Sequence, residues 1–385
     1  MRILYVATDQ RVPGFDGGAA HVSHVATGLA NLGHDVHVVA APGHGKFPSG
    51  AVHWYGVGAP LGSSRLRLFC APAVKRLARA IKPDVVVERY YNFGGEGVLA
   101  AQATGAALAL EVNAPVVDYP RSPKRILDRM LVVEPLRRWR EWQCQVSDLI
   151  VTPTAEVLPQ WISPGRVLEI EWGADTTNFS PSIVGTAPYV RRNDDLVVVF
   201  VGAFRAWHGA VHLVRAVRKL RERGYDDVAA VFIGDGPERR RTQQEAEGLE
   251  RVTFFGRVPH DQIPSYLVAA DVGIAPFDIL AHPPLSLTFY WSPLKIFEYM
   301  AAGLPVVTPD IPRLRRIYRD GEEGVSYDPN DTDGLADAIV QLRDQGVRRR
   351  LGAAGRDRVT RLFSWTKHCE QLAEAFSHIT ERRRQ

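Results

Sequence analysis

Cysteine is scarce in this chain: Cys70, Cys144 and Cys369 are odd in number and far apart. That excludes a disulfide framework and the close cysteine pairs of zinc sites or redox motifs, and it suits a reducing compartment. Long apolar runs are also lacking. The opening run, Ile3 to Ala7, is shorter than a signal-peptide core and far shorter than a membrane span, so it reads as a first β-strand of a cytoplasmic protein. The dinucleotide fingerprint G-x-G-x-x-G is missing after that strand. At Gly234-Asp235-Gly236 its third glycine is replaced by Arg239, which counts against a dehydrogenase. No convincing metal-ligand cluster of His, Cys and carboxylates is evident, and no cofactor is expected. A strong charge of one sign is absent as well. With 45% hydrophobic and 23% charged residues and a net charge of +4, the chain is neither disordered nor fibrous.

What the sequence does contain is a regular alternation of short apolar runs and longer amphipathic segments, the pattern of parallel α/β sheets. At 385 residues the chain suits two such domains, each of about 200 residues or less. Strands are expected at Ile3 to Thr8, Val36 to Ala40, Val85 to Glu88, Ala107 to Val112 and Leu149 to Thr152. After Trp172 come Gly173, Pro181, Gly185, Pro188 and the charged turn Arg191 to Asp195, a composition suited to a linker. A second series then runs through Leu196 to Val201, Val228 to Ile233, Val252 to Phe255, Val272 to Ala275 and Val306 to Thr308. The expected division is 1–175 for the first domain, 176–362 for the second, and 363–385 for a final helix. That helix starts from a cap at Ser364, carries Leu372, Phe376 and Ile379 on one stripe, and packs back onto the first domain.

Three segments carry chemistry. The first, Pro13-Gly14-Phe15-Asp16-Gly17-Gly18, follows the first strand and opens a helix bearing His21 and His24. Glycines at a helix N-terminus let backbone N–H groups approach an anion or sugar. The second runs from Val199 to Gly209 and brings Arg205 and His208 to the carboxyl edge of a strand, where an arginine fork and an imidazole suit phosphate oxygens. The third runs from Ser292 to Val307. Here Ser292 is expected to cap a helix with Pro293 at its first position, Gly303 to end it, and Lys295 and Glu298 to face the ligand edge, Glu298 accepting from a ribose.

On these segments the chain resembles the retaining glycosyltransferases of family 4, which have the GT-B fold of two facing Rossmann-like domains. The likeness extends to GHDVHVVA from Gly33, Trp172-Gly173-Ala174-Asp175, Ile233-Gly234-Asp235-Gly236-Pro237, and Phe255-Gly256-Arg257-Val258-Pro259. It implies transfer of a hexose-type sugar, with retention and without a metal, from a nucleotide-diphosphate donor to a hydroxyl of a glycan, glycolipid or small molecule. Nucleic acid is not an expected partner. By the same resemblance, Gly234 and the backbone near Arg257 and Val258 meet the nucleotide, with the base at the latter pair. Glu298 meets the ribose, Ser292, Pro293, Leu294 and Lys295 surround the diphosphate, and Gly17 and Gly18 approach it from the first domain.

Two positions depart from the family pattern. Its donor-phosphate arginine and lysine correspond to Ala203 and His208, with Arg205 and His208 as substitutes, and the first of its paired glutamates corresponds to Tyr290. Arg205, His208 and Glu298 are therefore the expected catalytic residues, and His21, Tyr90, Glu111 and Asn113 the expected acceptor or sugar pocket. An epimerase or hydrolase of the same fold and a non-catalytic sugar-nucleotide binder remain the alternatives. The arginine-rich stretches Arg65 to Lys82 and Arg121 to Arg140 have two readings, core-packed helices or a peripheral contact with anionic membrane.

Overall fold

The computed structural model describes residues 1–14, 17–119, 122–131, 134–183, 188–192 and 195–385. Phe15 and Asp16 of the first glycine loop, Arg121, Gly185 and positions 193 and 194 lie outside them. The chain divides into two compact units. One is Met1–Trp172 with Tyr290–Ser292 and Trp365–Gln385, and the other is Gly173–Phe289 with Pro293–Ser364.

The first unit is built on seven parallel strands: β1 (Arg2–Val12), β2 (Asp35–Pro42), β3 (His53–Gly56), β4 (Val85–Arg89), β5 (Ala107–Glu111), β6 (Leu149–Thr152) and β7 (Val167–Glu169). Their order is β3-β2-β1-β4-β5-β6-β7. Helices α1 (Gly17–Asn31), α2 (Ala71–Ile81), α3 (Glu96–Thr104), α4 (Pro123–Met130) and α5 (Pro135–Val146) make the connections. Ile3 to Ala7 are wholly buried, as expected of a central strand covered on both faces.

The second unit has six parallel strands: β8 (Leu196–Val201), β9 (Val228–Ile233), β10 (Val252–Gly256), β11 (Val272–Ile274), β12 (Val306–Pro309) and β13 (Gly324–Tyr327). The order is β10-β9-β8-β11-β12-β13. Between and after them lie α6 (Ala210–Glu222), α7 (Arg239–Glu245), α8 (Ile263–Leu267), α9 (Leu294–Ala301), α10 (Gly334–Gln341) and α11 (Gln345–Leu362). Phe200, Phe204, Phe232 and Phe254 pack ring on ring under the β8 to β10 edge. The last helix, α12 (Trp365–Arg384), belongs to the first unit, where it packs on α1. Leu372, Phe376 and Ile379 are buried there, and a side chain at Gly28 would collide with Cys369 Sγ, so the glycine sets how closely the two helices approach. Both sheets are of the Rossmann-like kind, and the fold is GT-B.

Three strands are additional to those the sequence reading expects. β3, β7 and β13 are short edge strands, exposed or half-buried for much of their length, so their apolar signal is weak. Most described cations of the arginine-rich stretches are exposed, but two are buried. Val74 and Ala78 of α2 lie in the core, and Arg67 and Arg140 are almost wholly enclosed. Among the described residues no helix is long and apolar enough to cross a membrane.

Candidate active site

In a parallel sheet every strand ends at the same edge, and that edge is where glycines and charged groups collect in the second unit. β8 runs into Gly202, with φ +147°, and β9 into Gly234, with φ +127°. A side chain at Gly234 would collide with the Gly202 carbonyl, so only glycine lets the two strand ends lie this close. The chain then makes a short turn, Ala206–His208, closed by Gly209 at φ +69°, where a side chain would run into the Pro276 carbonyl. Arg205 is exposed, its guanidinium 5.6 Å from the centre of the Trp207 ring. His208 Nδ1 lies 2.6 Å from the Ala203 carbonyl. Burial, and then the positive charge of Lys295, press the imidazole down to about 3, so it is neutral at pH 7.

The helix α9 begins at Leu294, because Pro293 has ψ 83° and serves as its non-helical cap residue. Ser292 is therefore not the helix cap expected from the sequence. It sits one residue too early, and its hydroxyl donates to Glu171 Oε2 at 2.8 Å while accepting from Trp172 N at 2.8 Å. Lys295, in the first turn, points its ammonium nitrogen at the strand edge, where a Cβ on Gly202 would come within 2.7 Å of it. That nitrogen is buried, has no hydrogen-bond partner among the described residues, and lies 4.3 Å and 5.3 Å from the ring centres of Phe200 and Phe277. Burial lowers the amine to about 7. One turn along α9, buried Glu298 accepts from His260 Nε2 at 2.6 Å. Burial disfavours the charged imidazole, but Glu298 more than offsets this and raises His260 above its ordinary value.

The corresponding edge of the first unit is closed by two charge networks. Arg67, reaching in after β3, donates Nε to Glu96 at 2.6 Å, Nη1 to Asp9 at 3.0 Å and Nη2 to Glu88 at 3.0 Å. Glu88 also accepts from the backbone N–H groups of Gly95 and Gly97. Burial and the neighbouring Glu96 nevertheless push its carboxyl well up. The second network centres on Glu111 at the end of β5, which accepts from Tyr5, Asn113 and Arg89, the last at 2.9 Å, and lies 2.8 Å from His21 Nε2. Burial opposes the charge of Glu111, but His21 and Arg89 overcome it and hold the carboxyl well below the usual range. His21 stacks on Trp172 at 4.3 Å and meets the rings of Trp365 and His368 edge-on. Trp172 Nε1 donates to Asn113 at 3.2 Å.

The expected site residues thus fall into separate groups. Gly234, Arg205, His208, Leu294 and Lys295 share one edge of the second unit, beside Gly202, and Arg257 and Val258 follow β10 at the same edge. In the first unit Gly17 and Gly18 form the opening turn of α1, and His21, Glu111 and Asn113 form one cluster. Glu111 is buried and already paired with Tyr5, Arg89, Asn113 and His21, so it is not an exposed pocket wall. Tyr90 stands apart, its hydroxyl donating to Asn92 at 3.0 Å. Tyr290 is buried in the first unit beside Trp291. Sequence reasoning did not identify His260, which follows directly on the Arg257-Val258-Pro259 run, nor Arg67, whose neighbours Leu66, Leu68 and Phe69 give no sign of a buried cation.

Residues 15–177 match the family model described as Glycosyltransferase Family 4, and residues 195–345 the one described as Glycosyl transferases group 1. A phosphatidyl-myo-inositol mannosyltransferase of Mycolicibacterium smegmatis is 28% identical over 96% of this chain and 91% of its own length. The protein of that name from Mycobacterium leprae is 28% identical over 66% of this chain, and the match spans only 60% of that relative. Among solved structures, a sucrose-phosphate synthase of Thermosynechococcus elongatus superposes with TM-score 0.76 at 21% identity, covering 99% of this chain and all of the other. The Anabaena protein HepE, in complex with UDP and glucose, gives TM-score 0.69 at 18% identity, covering 98% of this chain and 99% of the other. The two family matches, one on each half of the chain, indicate a glycosyltransferase, and the fold the chain shares with these structures is GT-B.

Proposed function

We propose that this protein is a retaining hexosyltransferase that takes its sugar from a nucleotide-diphosphate donor bound to the second unit and delivers it to an acceptor hydroxyl bound by the first. The observation that carries the reading is Lys295. An ammonium group buried without an acceptor among the described residues, beside two close glycine turns and a helix N-terminus, is a site that an anionic ligand completes. A diphosphate has the charge and the oxygens to do so, with Arg205 reaching it from the exposed side. HepE, which binds UDP, shares the fold.

In this reading the phosphates accept from Lys295, Arg205 and the backbone N–H groups at Leu294 and Lys295. These groups stabilise the charge that develops on the departing diphosphate, a kind of interaction worth roughly a hundredfold to a thousandfold in rate for each donor. His208 is neutral, with Nδ1–H on the Ala203 carbonyl orienting the ring at this edge without adding a charge. Glu298, held in place by His260, accepts from the ribose hydroxyls, and the Arg257-Val258 backbone meets the base. The acceptor hydroxyl attacks from the face the diphosphate leaves, its proton passing to a departing phosphate oxygen, and the anomeric configuration is retained. The charges of the chain itself serve the leaving group, so turnover proceeds in EDTA.

A lipid-linked acceptor at an anionic membrane suits α4. Its exposed face carries Ile126, Leu127 and Met130 beside Arg125 and Arg129, and the two mycobacterial relatives are named for transfer to a phosphatidylinositol.

The test is a panel of UDP, GDP, ADP and dTDP sugars, scored by thermal shift and then by nucleoside diphosphate release with and without acceptors. One donor is expected to stabilise the protein and to be consumed only when an acceptor is present, giving a product with the donor's anomeric configuration by NMR. Consumption without acceptor would instead identify a hydrolase or epimerase, and binding without turnover a sugar-nucleotide binding protein.

A further inference from the structure

At the opposite end of the first sheet, β2 and β3 pair in parallel with His37 directly across from His53. Asp35 precedes His37 by two residues and so projects from the same face of β2. The three side chains converge. Asp35 Oδ1 lies 3.1 Å from His37 Nε2 and 3.6 Å from His53 Nε2, and the three ligand atoms all fall within 4.8 Å of one another. Among the described residues this is the one group of His, Cys, Asp and Glu with such convergence.

Ordinary pairing does not account for it. His37 is 8% exposed, yet among the described residues its Nε2, aimed into the cluster, has no well-aligned hydrogen-bond partner despite the nearby carboxylate. The two imidazoles stack with ring centres 4.7 Å apart, and both Nε2 atoms approach a single carboxylate oxygen. The far sides of two of the groups are already held. Tyr55 OH lies 3.0 Å from His37 Nδ1 and can accept from Nδ1–H, the tautomer in which Nε2 is the ligand atom, and Arg2 Nε donates to Asp35 Oδ2 at 2.8 Å, leaving Oδ1 for the cluster. Such outer partners orient metal ligands. With metal–nitrogen and metal–oxygen bonds of about 2.0–2.2 Å, a tetrahedral site places neighbouring donors roughly 3.3–3.5 Å apart, close to the spacings seen here.

We propose that Asp35, His37 and His53 form a binding site for a divalent transition-metal ion of the Zn²⁺, Co²⁺ or Ni²⁺ class. Two imidazoles and one carboxylate favour such an ion over Mg²⁺ or Ca²⁺, which take oxygen ligands. Three protein ligands leave a fourth position for water. The site lies at the amino ends of the strands, away from the carboxyl edge that bears Glu88 and Glu111, so its role is to tie the edge strand β3 to β2 and not to take part in transfer. This site is additional to anything the sequence spacing indicated, because it is assembled across two strands and not along one.

The test uses the untagged full-length chain stripped with EDTA, titrated calorimetrically with ZnCl₂ and spectroscopically with CoCl₂, whose visible absorption reports tetrahedral coordination. The expected result is one ion per chain and a Tm that rises with Zn²⁺. Binding should weaken at least tenfold in His53→Ala and in Asp35→Asn, and stay unchanged in His44→Ala, an exposed histidine outside the cluster. His53 is exposed, so His53→Ala should match the wild-type Tm in EDTA, which separates loss of metal from loss of fold. Absence of stoichiometric uptake by the intact chain, or uptake by His53→Ala and Asp35→Asn equal to wild type, would overturn the proposal.

Discussion

The Lys295 ammonium nitrogen lies 4.3 Å from the centre of the Phe200 ring and has no hydrogen-bonding acceptor among the described residues. Ring faces attract a cation only weakly compared with the hydration it has lost, so burial brings the amine to about 7 from an ordinary 10.5. Between those two values the unfolded chain holds a proton that the folded chain has released. Folding stability therefore rises with pH across that window, and the penalty is fully present below pH 7. Lys295→Met removes the unpaired charge, so its Tm should exceed that of wild type at pH 6 and converge with it by pH 10. A Tm difference that does not change with pH would show that Lys295 titrates normally.

The same lysine couples donor binding to protons. At pH 8 most of the free protein carries a neutral amine, and a bound diphosphate restores its charge. Binding of the nucleoside diphosphate selected by the panel should take up close to one proton, read from calorimetry in buffers of different ionisation enthalpy. In Lys295→Met the uptake should vanish, and the transfer rate should fall by roughly a hundredfold or more. Unchanged uptake in the variant would assign the proton to another group, with His208 the nearest.

The two-unit fold was legible because buried parallel strands are nearly continuous apolar runs, and Leu196 to Val201, Val228 to Ile233 and Leu149 to Thr152 coincide with β8, β9 and β6 end to end. Strand register and cross-chain pairing leave no such trace. Nothing near Arg67 in the chain points to Glu88, Glu96 and Asp9, which reach it from other elements and pair with it in the interior. Ser292 illustrates the converse. Its position before Pro293 has the form of a helix cap, but a hydroxyl makes few bonds, and Glu171 and Trp172 already use them.

Glu298 tests the ribose assignment. Its Oε1 is committed to His260, so Oε2 is the oxygen left for a ligand. Glu298→Gln should weaken nucleoside diphosphate binding by about tenfold to a hundredfold, the scale of one charge-assisted hydrogen bond. It should weaken the 2′,3′-dideoxy analogue far less. Equal losses for both would detach Glu298 from the sugar hydroxyls. The partner titrates with the opposite sign to Lys295. His260 is raised, so its contribution is complete below its ordinary 6.5 and disappears as pH climbs through the folded value, and His260→Ala should cost stability at pH 6 and almost none at pH 9.

Glu111 holds the first-unit cluster together. Replacing it by glutamine leaves the buried Arg89 without its 2.9 Å carboxylate partner and should cost roughly 3 kcal/mol by chemical denaturation. Because the Glu111 carboxyl is depressed, its stabilisation is present above the ordinary 4.5 and is lost only as pH falls from there through the lower folded value. The wild-type advantage over Glu111→Gln should thus be level from pH 8 to pH 5 and shrink in stronger acid. A gap that already closes near pH 6 would mean that His21, not Glu111, dominates the cluster.

Gly28 sets the seat of α12 against α1. A Cβ at this position meets Cys369 Sγ and approaches Cys369 Cβ to 3.2 Å, with both groups inside the buried helix contact. Sulfur cannot move aside without displacing the stripe of Leu372 and Phe376 next to it, so Gly28→Ala should destabilise by about 1–3 kcal/mol despite the higher helix propensity of alanine. Cys369→Ala alone removes a buried sulfur and should cost about 1 kcal/mol. The double variant places two methyl groups where a methyl and a sulfur could not both fit, so its loss should be smaller than the sum of the two. A coupling of this sign, measured by urea denaturation of all four proteins, would place the clash at this contact. Strict additivity would mean that the two helices slide apart freely, and that the close approach at Gly28 contributes little to keeping the last helix on the first unit.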